Sequence, residues 1–339
     1  MGDQSAHRHR GAVIGLGMIG RHHARILQAS PRVRFAGAVD PGGDRHGALH
    51  DPDTRVDTVA ELLDRGPLDF AVLAVPTGMH LPVARELIEA GVAVLVEKPL
   101  APTVRQAEEI AELCARHGVA GAVGHVERFN AAPRELRRRL QEGQLGRLFT
   151  LATARSGPFP SRIADVGVVM DLATHDIDLV SWLSGSWIES VAAQTGHLSG
   201  GEHEDLVFIT GRLESGAAIN LVVDRVSPTK IRRTRVLGER GMLEADTLSG
   251  DLFFYENAEV RIDWSTTQQF RGVSEGNVVR YALRRDEPLR VELDTFLDLL
   301  EGQAADVVTL KQGTEIVRVA EAVLESARSG QVLAPGSVA

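Results

Sequence analysis

Short apolar runs separated by amphipathic stretches set the rhythm of the first third of the chain. Ala12, Val13 and Ile14 make one run, residues 35–39 a second, residues 69–75 (DFAVLAV) a third, residues 92–96 a fourth and residues 119–123 a fifth. Runs apolar almost throughout suit parallel strands covered on both faces. Between them the pattern predicts helices: one after the first run, a helical segment from Asp40 through Ala48, a short helix over 58–65, one from His80 to Ala90, and one opened by a Thr103/Gln106 capping box and running to His117. This alternation predicts an α/β domain with a parallel sheet over residues 11–125, behind a loose polar tail of residues 1–10. A further helix is expected over 133–142. Beyond Gly146 the period changes: strands at 148–154, 188–194, 206–213, 217–223, 231–237, 242–245 and 252–255 follow one another through turns such as Glu214-Ser215-Gly216 and Ser249-Gly250-Asp251. Helices at 169–183, 290–301 and 312–328 complete an α+β domain, residues 126–339, with a large, mostly antiparallel sheet.

The first strand runs into Gly15-Leu16-Gly17-Met18-Ile19-Gly20, which fits G-x-G-x-x-G. Gly15 would make the tight turn, Gly17 would admit a pyrophosphate to the backbone, and Gly20 would let helix and strand pack closely. The helix then offers its free N–H groups and positive dipole end to the phosphates. The second strand ends in Asp40, about 20 residues beyond the last glycine, where a carboxylate accepts from a ribose 2′-OH and repels a 2′-phosphate. NAD is therefore expected over NADP, although Arg45 stands close enough behind to accommodate a phosphate. The third strand stops at Val75-Pro76-Thr77, at the carboxyl end of the sheet, where ligands of such sheets collect.

Two other stretches carry chemistry. Glu97-Lys98-Pro99 ends the fourth strand in the same crevice, and a lysine beside an oxidised nicotinamide is open to desolvation and like-charge effects. A cis Lys98-Pro99 bond is expected there. Within the helix over 169–183, Asp171, His175 and Asp178 recur at spacings that share one face, which suggests general acid/base work with a carboxylate orienting the imidazole. Ligation of a metal by His175 and Asp171 would need a second cluster at matching spacing, and none stands in the chain, so no metal is expected.

Composition narrows the partners. The 339 residues are 43% hydrophobic and carry a net charge of −9, which argues for two well-packed domains and against nucleic acid. Arg137-Arg138-Arg139 reads as a solvated helix face. The single cysteine, Cys114, reads as core, and the absence of an intrachain disulfide suits a reducing compartment. With neither a secretory leader nor an apolar run long enough for a bilayer, a cytoplasmic, membrane-free protein is expected.

Taken together, the glycine turn, Val75-Pro76-Thr77 with His80, Glu97-Lys98-Pro99 and Asp171-x-x-x-His175-Asp176-Ile177-Asp178 resemble the Gfo/Idh/MocA oxidoreductases, the family of glucose-fructose oxidoreductase and inositol dehydrogenase, over nearly the whole chain. The resemblance implies an N-terminal Rossmann domain and a C-terminal open sheet that serves substrate binding and homo-oligomer contact, as a dimer or tetramer. It implies Lys98, Asp171 and His175 as catalytic residues that also touch substrate, and cofactor contacts from Gly15, Gly17, Met18, Ile19, Gly20, Asp40, Arg45, Val75, Pro76, Thr77, His80, Glu97 and Lys98. Residues 124–130 and 155–167 look like members that oxidise C3 of UDP-N-acetylglucosamine or a related UDP-sugar. On that reading Arg128, Asn130, Arg155 and Arg162 bind substrate, the arginines gripping its pyrophosphate through charge-assisted forks. An inositol or free-sugar dehydrogenase and an idle NAD-binding sensor are the rival readings. In the favoured account the Lys98 ammonium and the His175 imidazole serve one reaction, hydride transfer from a sugar carbinol to NAD.

Overall fold

The structure is a computed structural model that describes residues 8–158, 166–257 and 275–337. The chain divides into two compact units, Met1–Val126 with Glu287–Arg318, and Glu127–Asp286 with Val319–Ala339. The first opens with β1 (His9–Ile14), α1 (Gly20–Ala29), β2 (Val33–Val39), β3 (Arg55–Val56), α2 (Val59–Asp64), β4 (Phe70–Leu73), α3 (His80–Glu89), β5 (Ala93–Glu97), α4 (Val104–His117) and β6 (Gly121–Gly124). The second holds α5 (Ala131–Gln141), β7 (Leu148–Ser156), α6 (Thr174–Ser184), β8 (Ile188–Gly196), β9 (Leu206–Leu213), β10 (Ala218–Asp224), β11 (Ile231–Gly238), β12 (Gly241–Asp246), β13 (Asp251–Asn257) and β14 (Glu275–Tyr281). The chain then makes α7 (Pro288–Leu300), β15 (Val308–Thr309) and α8 (Leu310–Ser329).

In the first unit the strands lie in the order β15-β6-β5-β4-β1-β2-β3, parallel throughout except where β15 runs antiparallel to β6. Val13, Phe70, Val72 and Leu95 are almost wholly buried, as strands covered on both faces require. The leading segment of the first unit runs to Val126, and residues 287–318 join it rather than the second unit. The physical reason is α7, whose Leu293, Phe296 and Leu297 are buried in the same apolar cluster as Phe70 and Leu27. Phe296 meets Phe70 edge-on, with ring centroids 5.8 Å apart, and burying such a ring contributes about 2–3 kcal/mol.

Two further expectations change. The tail ends earlier than residue 10, because His9 already belongs to β1, is 8% exposed, and pairs through Nε2 with Glu301 at 3.3 Å. Residues 40–48 form turns rather than a helix. There the Asp44 carboxylate accepts from the N–H groups of Ala48 and Leu49, and Gly43 and Gly47 have left-handed φ values of +82° and +59°, so side chain and glycine together outcompete helical bonding. The capping box at Thr103 forms as read: its hydroxyl accepts from Gln106 N, and the helix stops at Gly118. Cys114 is buried in α4, which pushes its thiol up to about 11.

The second sheet runs β14-β13-β12-β11-β7-β10-β9-β8, antiparallel except for the β7–β10 pair. Helix α6 packs on β7, and α5 on β12 and β13. Arg137, expected in solvent, instead lies over the Trp182 ring at 4.4 Å. Asp205 and Arg225 tie the sheet to the segment that leads into α6. Arg225 Nε donates to Asp205 Oδ1 at 2.9 Å and Nη1 donates to Val166 O, while Ser199 N donates to Asp205 Oδ2. Burial works against the Asp205 carboxylate, but the Ser199 donors and the guanidinium outweigh it and bring the group down to about 2. A depressed carboxylate stabilises the fold above its unfolded pKa and loses that contribution as pH falls through the folded one. Asp205→Asn is accordingly expected to cost about 3 kcal/mol near neutrality. The gap in melting temperature between variant and native chain should close as pH falls from about 4 to about 2. A gap that stays constant with pH would show that this carboxylate's charge is not what holds the segment.

Candidate active site

At the carboxyl end of the first sheet, β1 gives way to Gly15 at φ +95°, whose N–H donates to Val39 O at 2.7 Å. A Cβ on Gly20 would stand 1.9 Å from Gly15 O, so the helix and the turn touch as only glycine allows. Nothing lies within 4 Å of a Cβ built on Gly17, and Gly17, Met18 and Ile19 are exposed. The N-termini of α2 and α4 are closed by Thr58 and Thr103, whereas α1 has no side-chain cap and no acid in its first turn. Open ground above uncapped N–H groups fits a pyrophosphate. Asp40 sits beside this ground, its Oδ2 accepting from Leu16 N at 2.7 Å and its Oδ1 from Gly42 N at 2.8 Å. These bonds hold the carboxylate at the glycine turn and leave lone pairs for a ribose. Arg45 folds back on the turn that follows Asp40, Nε donating to Gly42 O.

The next two strand ends are pinned to each other. His80 is 1% exposed, with Nδ1 3.1 Å from Pro99 O and 3.2 Å from Leu100 O, and Nε2 3.1 Å from Val75 O. Burial lowers its pKa despite those carbonyls. His80, expected as a cofactor contact, therefore works inward and ties the Val75-Pro76-Thr77 loop to the Lys98-Pro99 loop. Glu97 also turns inward, with Oε1 2.8 Å from His23 Nε2 and Oε2 accepting from Lys98 N at 3.2 Å. Lys98 is half-buried, and its bond to Pro99 is cis as expected.

In the second unit the helix over 169–184 starts with a π turn, Val169–Ala173, that carries Asp171, and continues as α6 with His175 on its first turn. Both residues are buried, at 8% and 9% exposure. Single π turns inside α-helices concentrate at functional sites. Glu204 sets where this one begins: its Oε1 accepts from Val169 N at 2.9 Å, and a Cβ on Gly167 would collide with its carboxylate at 2.0 Å. Sequence spacing gave no sign of that cap.

Three residues expected to bind substrate are instead engaged by the protein itself. Arg128 Nε donates to both carboxylate oxygens of Asp178, at 3.0 and 2.9 Å, and Nη2 also bonds Oδ1. Asp178 therefore belongs to this pair, although it shares the helix with His175. Arg155 bonds Asp176 at 2.6 Å and Glu127 at 2.9 Å. Burial works against its charge, but those two carboxylates outweigh it and hold the guanidinium's pKa above its ordinary value. Asn130 caps α5 by accepting from Ala132 N, and donates to Thr247 O. The reason is local charge balance: buried guanidiniums take the nearest carboxylates before any ligand arrives. Arg162 lies outside the described residues. His23 and Glu292 were not singled out in the sequence. The signal for His23 is its place beside Gly20, Ala24 and Leu27 on the buried face of α1.

Residues 9–125 match the model of the oxidoreductase family with an NAD-binding Rossmann fold, and residues 134–244 match the GFO/IDH/MocA C-terminal domain. The chain belongs to the Gfo/Idh/MocA oxidoreductase family. It is 32% identical over 335 residues to the myo-inositol dehydrogenase Hyg17 of Streptomyces leeuwenhoekii, covering 95% of this chain and 98% of that one. It is 27% identical to the UDP-N-acetylglucosamine 3-dehydrogenase of Acidithiobacillus ferrooxidans, over 86% of this chain and 88% of the other. The solved structure of that Acidithiobacillus ferrooxidans enzyme, GnnA, superposes with a TM-score of 0.81 over 96% of this chain and 99% of its own, at 24% identity, which speaks for the fold. As a Gfo/Idh/MocA member the chain is an NAD-dependent oxidoreductase, its first unit the dinucleotide domain and its second the family's C-terminal sheet. Among the described residues no helix is long and apolar enough to cross a membrane.

Proposed function

We propose that this oxidoreductase oxidises a secondary hydroxyl of a cyclic polyol or sugar to a ketone, with Lys98, Asp171 and His175 as its catalytic residues. The observation that carries the reading is the placement of Asp171 and His175 on adjoining turns of one helix, both buried. NAD supplies the hydride acceptor when bound. His175 takes the hydroxyl proton as the adjoining carbon gives up hydride. Lys98 polarises the hydroxyl oxygen and offsets its developing negative charge, a preorganised electrostatic role. Asp171 orients the imidazole and favours its protonated form.

For the alcohol itself, an uncharged ring is favoured by one observation: Arg128 and Arg155, the cations that would grip a diphosphate, are spent on Asp178, Asp176 and Glu127. A UDP-sugar oxidised at C3 is the second reading, supported by the 27% identical relative named for that activity and by Arg162. Incubation with NAD and a panel of inositols, aldoses and UDP-sugars, followed by absorbance of the reduced cofactor, separates them. Turnover of an inositol or aldose is the expected result. Turnover of UDP-sugars alone would replace it with the second reading, and no turnover at all would favour an idle NAD-binding protein. The outward face of the second sheet presents Phe208, Ile231 and Leu237, 47%, 38% and 40% exposed, and supports a homo-oligomer formed through that sheet.

A further inference from the structure

Beneath Lys98 lies a set of ionisable groups that the proposed chemistry does not use. His23 on α1, Glu97 at the end of β5 and Glu292 on α7 are 1%, 8% and 2% exposed, and one nitrogen or oxygen from each lies within 4.8 Å of the others. We propose that His23 is a positioning residue for Lys98, acting through Glu97. The inference rests on the catalytic role given to Lys98 above.

The argument starts from cost. A carboxylate buried as deeply as Glu97 resists ionisation unless donors and positive charge compensate it. Here they do: the His23 ring at 2.8 Å, the Lys98 amide at 3.2 Å and the Lys98 charge outweigh desolvation and hold Glu97 below the usual carboxylate range. The room is built for it, because a Cβ on Gly124 would stand 3.3 Å from the Glu97 carboxyl carbon and one of its oxygens. Among the described residues, the charged and titratable groups that face Glu97 are His23, Lys98, Glu292 and His80. A separation of 2.8 Å between ring nitrogen and oxygen is that of a hydrogen bond. Two clamped oxygens thus fix an anion at the residue that precedes Lys98, and His23 is the clamp that lies outside the backbone.

The test is the pH profile of kcat for the full-length enzyme with NAD and the alcohol found by the panel, with Lys98→Ala as reference. His23→Leu removes the donor, so Glu97 takes up a proton at higher pH. The acid limb should then move up by about one unit, so that kcat on that limb falls about tenfold, with KM for NAD within about threefold. His23→Gln keeps an N–H in reach of Oε1 and should restore the native limb. Glu97→Gln removes the anion itself and should lower kcat at least as far as His23→Leu does, with KM for NAD within about threefold. A limb that moves in His23→Leu and returns in His23→Gln is not what loss of packing alone produces. A folded His23→Leu enzyme with native kcat and limb would overturn the inference. So would a native kcat in Glu97→Gln, which decides the matter if His23→Leu does not fold. A stoichiometric divalent metal that copurifies and whose chelation abolishes turnover would overturn it as well. If Lys98→Ala keeps native turnover, the catalytic reading of Lys98 is what fails, whatever the limbs do.

Discussion

Alanine in place of His175 is expected to lower kcat by about 10²–10⁴-fold, the range that a positioned general base contributes. The elements proposed to hold the cofactor, by contrast, are the glycine turn, Asp40 and the loops after β4 and β5, all in the first unit. Binding of NAD, followed by quenching of protein fluorescence, should therefore stay within about threefold of the native chain while turnover collapses. An exogenous base such as imidazole should return part of the activity, because the variant leaves a space where the ring stood. A turnover number near native would remove His175 from the chemistry, and with it the role given to Asp171.

The second large effect concerns stability and separates two roles for one arginine. Arg128 and Asp178 are 2% and 1% exposed as side chains, and the guanidinium also lies 5.7 Å from the Trp182 ring centre. Arg128→Met would strand a buried carboxylate, at a cost of about 3–5 kcal/mol. For a unit of this size that is a fall of about 10 °C in melting temperature. Removing both charges, with Arg128→Met and Asp178→Leu together, should recover most of the loss, since a well-packed apolar pair often replaces a buried ion pair without penalty. An unchanged melting temperature with a raised substrate KM would return Arg128 to the substrate-binding role its sequence context suggested.

What the sequence disclosed and what it hid divide along physical lines. The glycine turn, the strand DFAVLAV and the Thr103 cap are local devices, each determined by residues within one turn or strand, and each appears where its pattern places it. The alternating runs of the second unit likewise gave its strands to within a few residues, although β14 and the two-residue β15 carry too little pattern to be read. Partnerships across the chain were invisible. Arg128 finds Asp178 50 residues on, Arg155 finds Asp176 21 residues on, and His23 finds Glu97 74 residues on. A basic residue in a motif looks the same before folding whether it will meet a ligand's phosphate or a neighbouring helix. Glu204 was hidden for the same reason: its value as a cap depends on Gly167, brought to it only by the fold.

The return of α7 and β15 to the first sheet has a bearing on how the protein is made. A chain cut after Val126 would lack Leu293, Phe296 and Leu297, and would leave the apolar ground around Phe70 and Leu27 open to water. On the ribosome, β1 emerges first, yet its unit cannot close until synthesis has passed residue 318, by which time every strand of the other sheet has been made. The dinucleotide domain is thus first to be started and late to be finished, and for most of translation its half-built sheet is the surface in need of a chaperone.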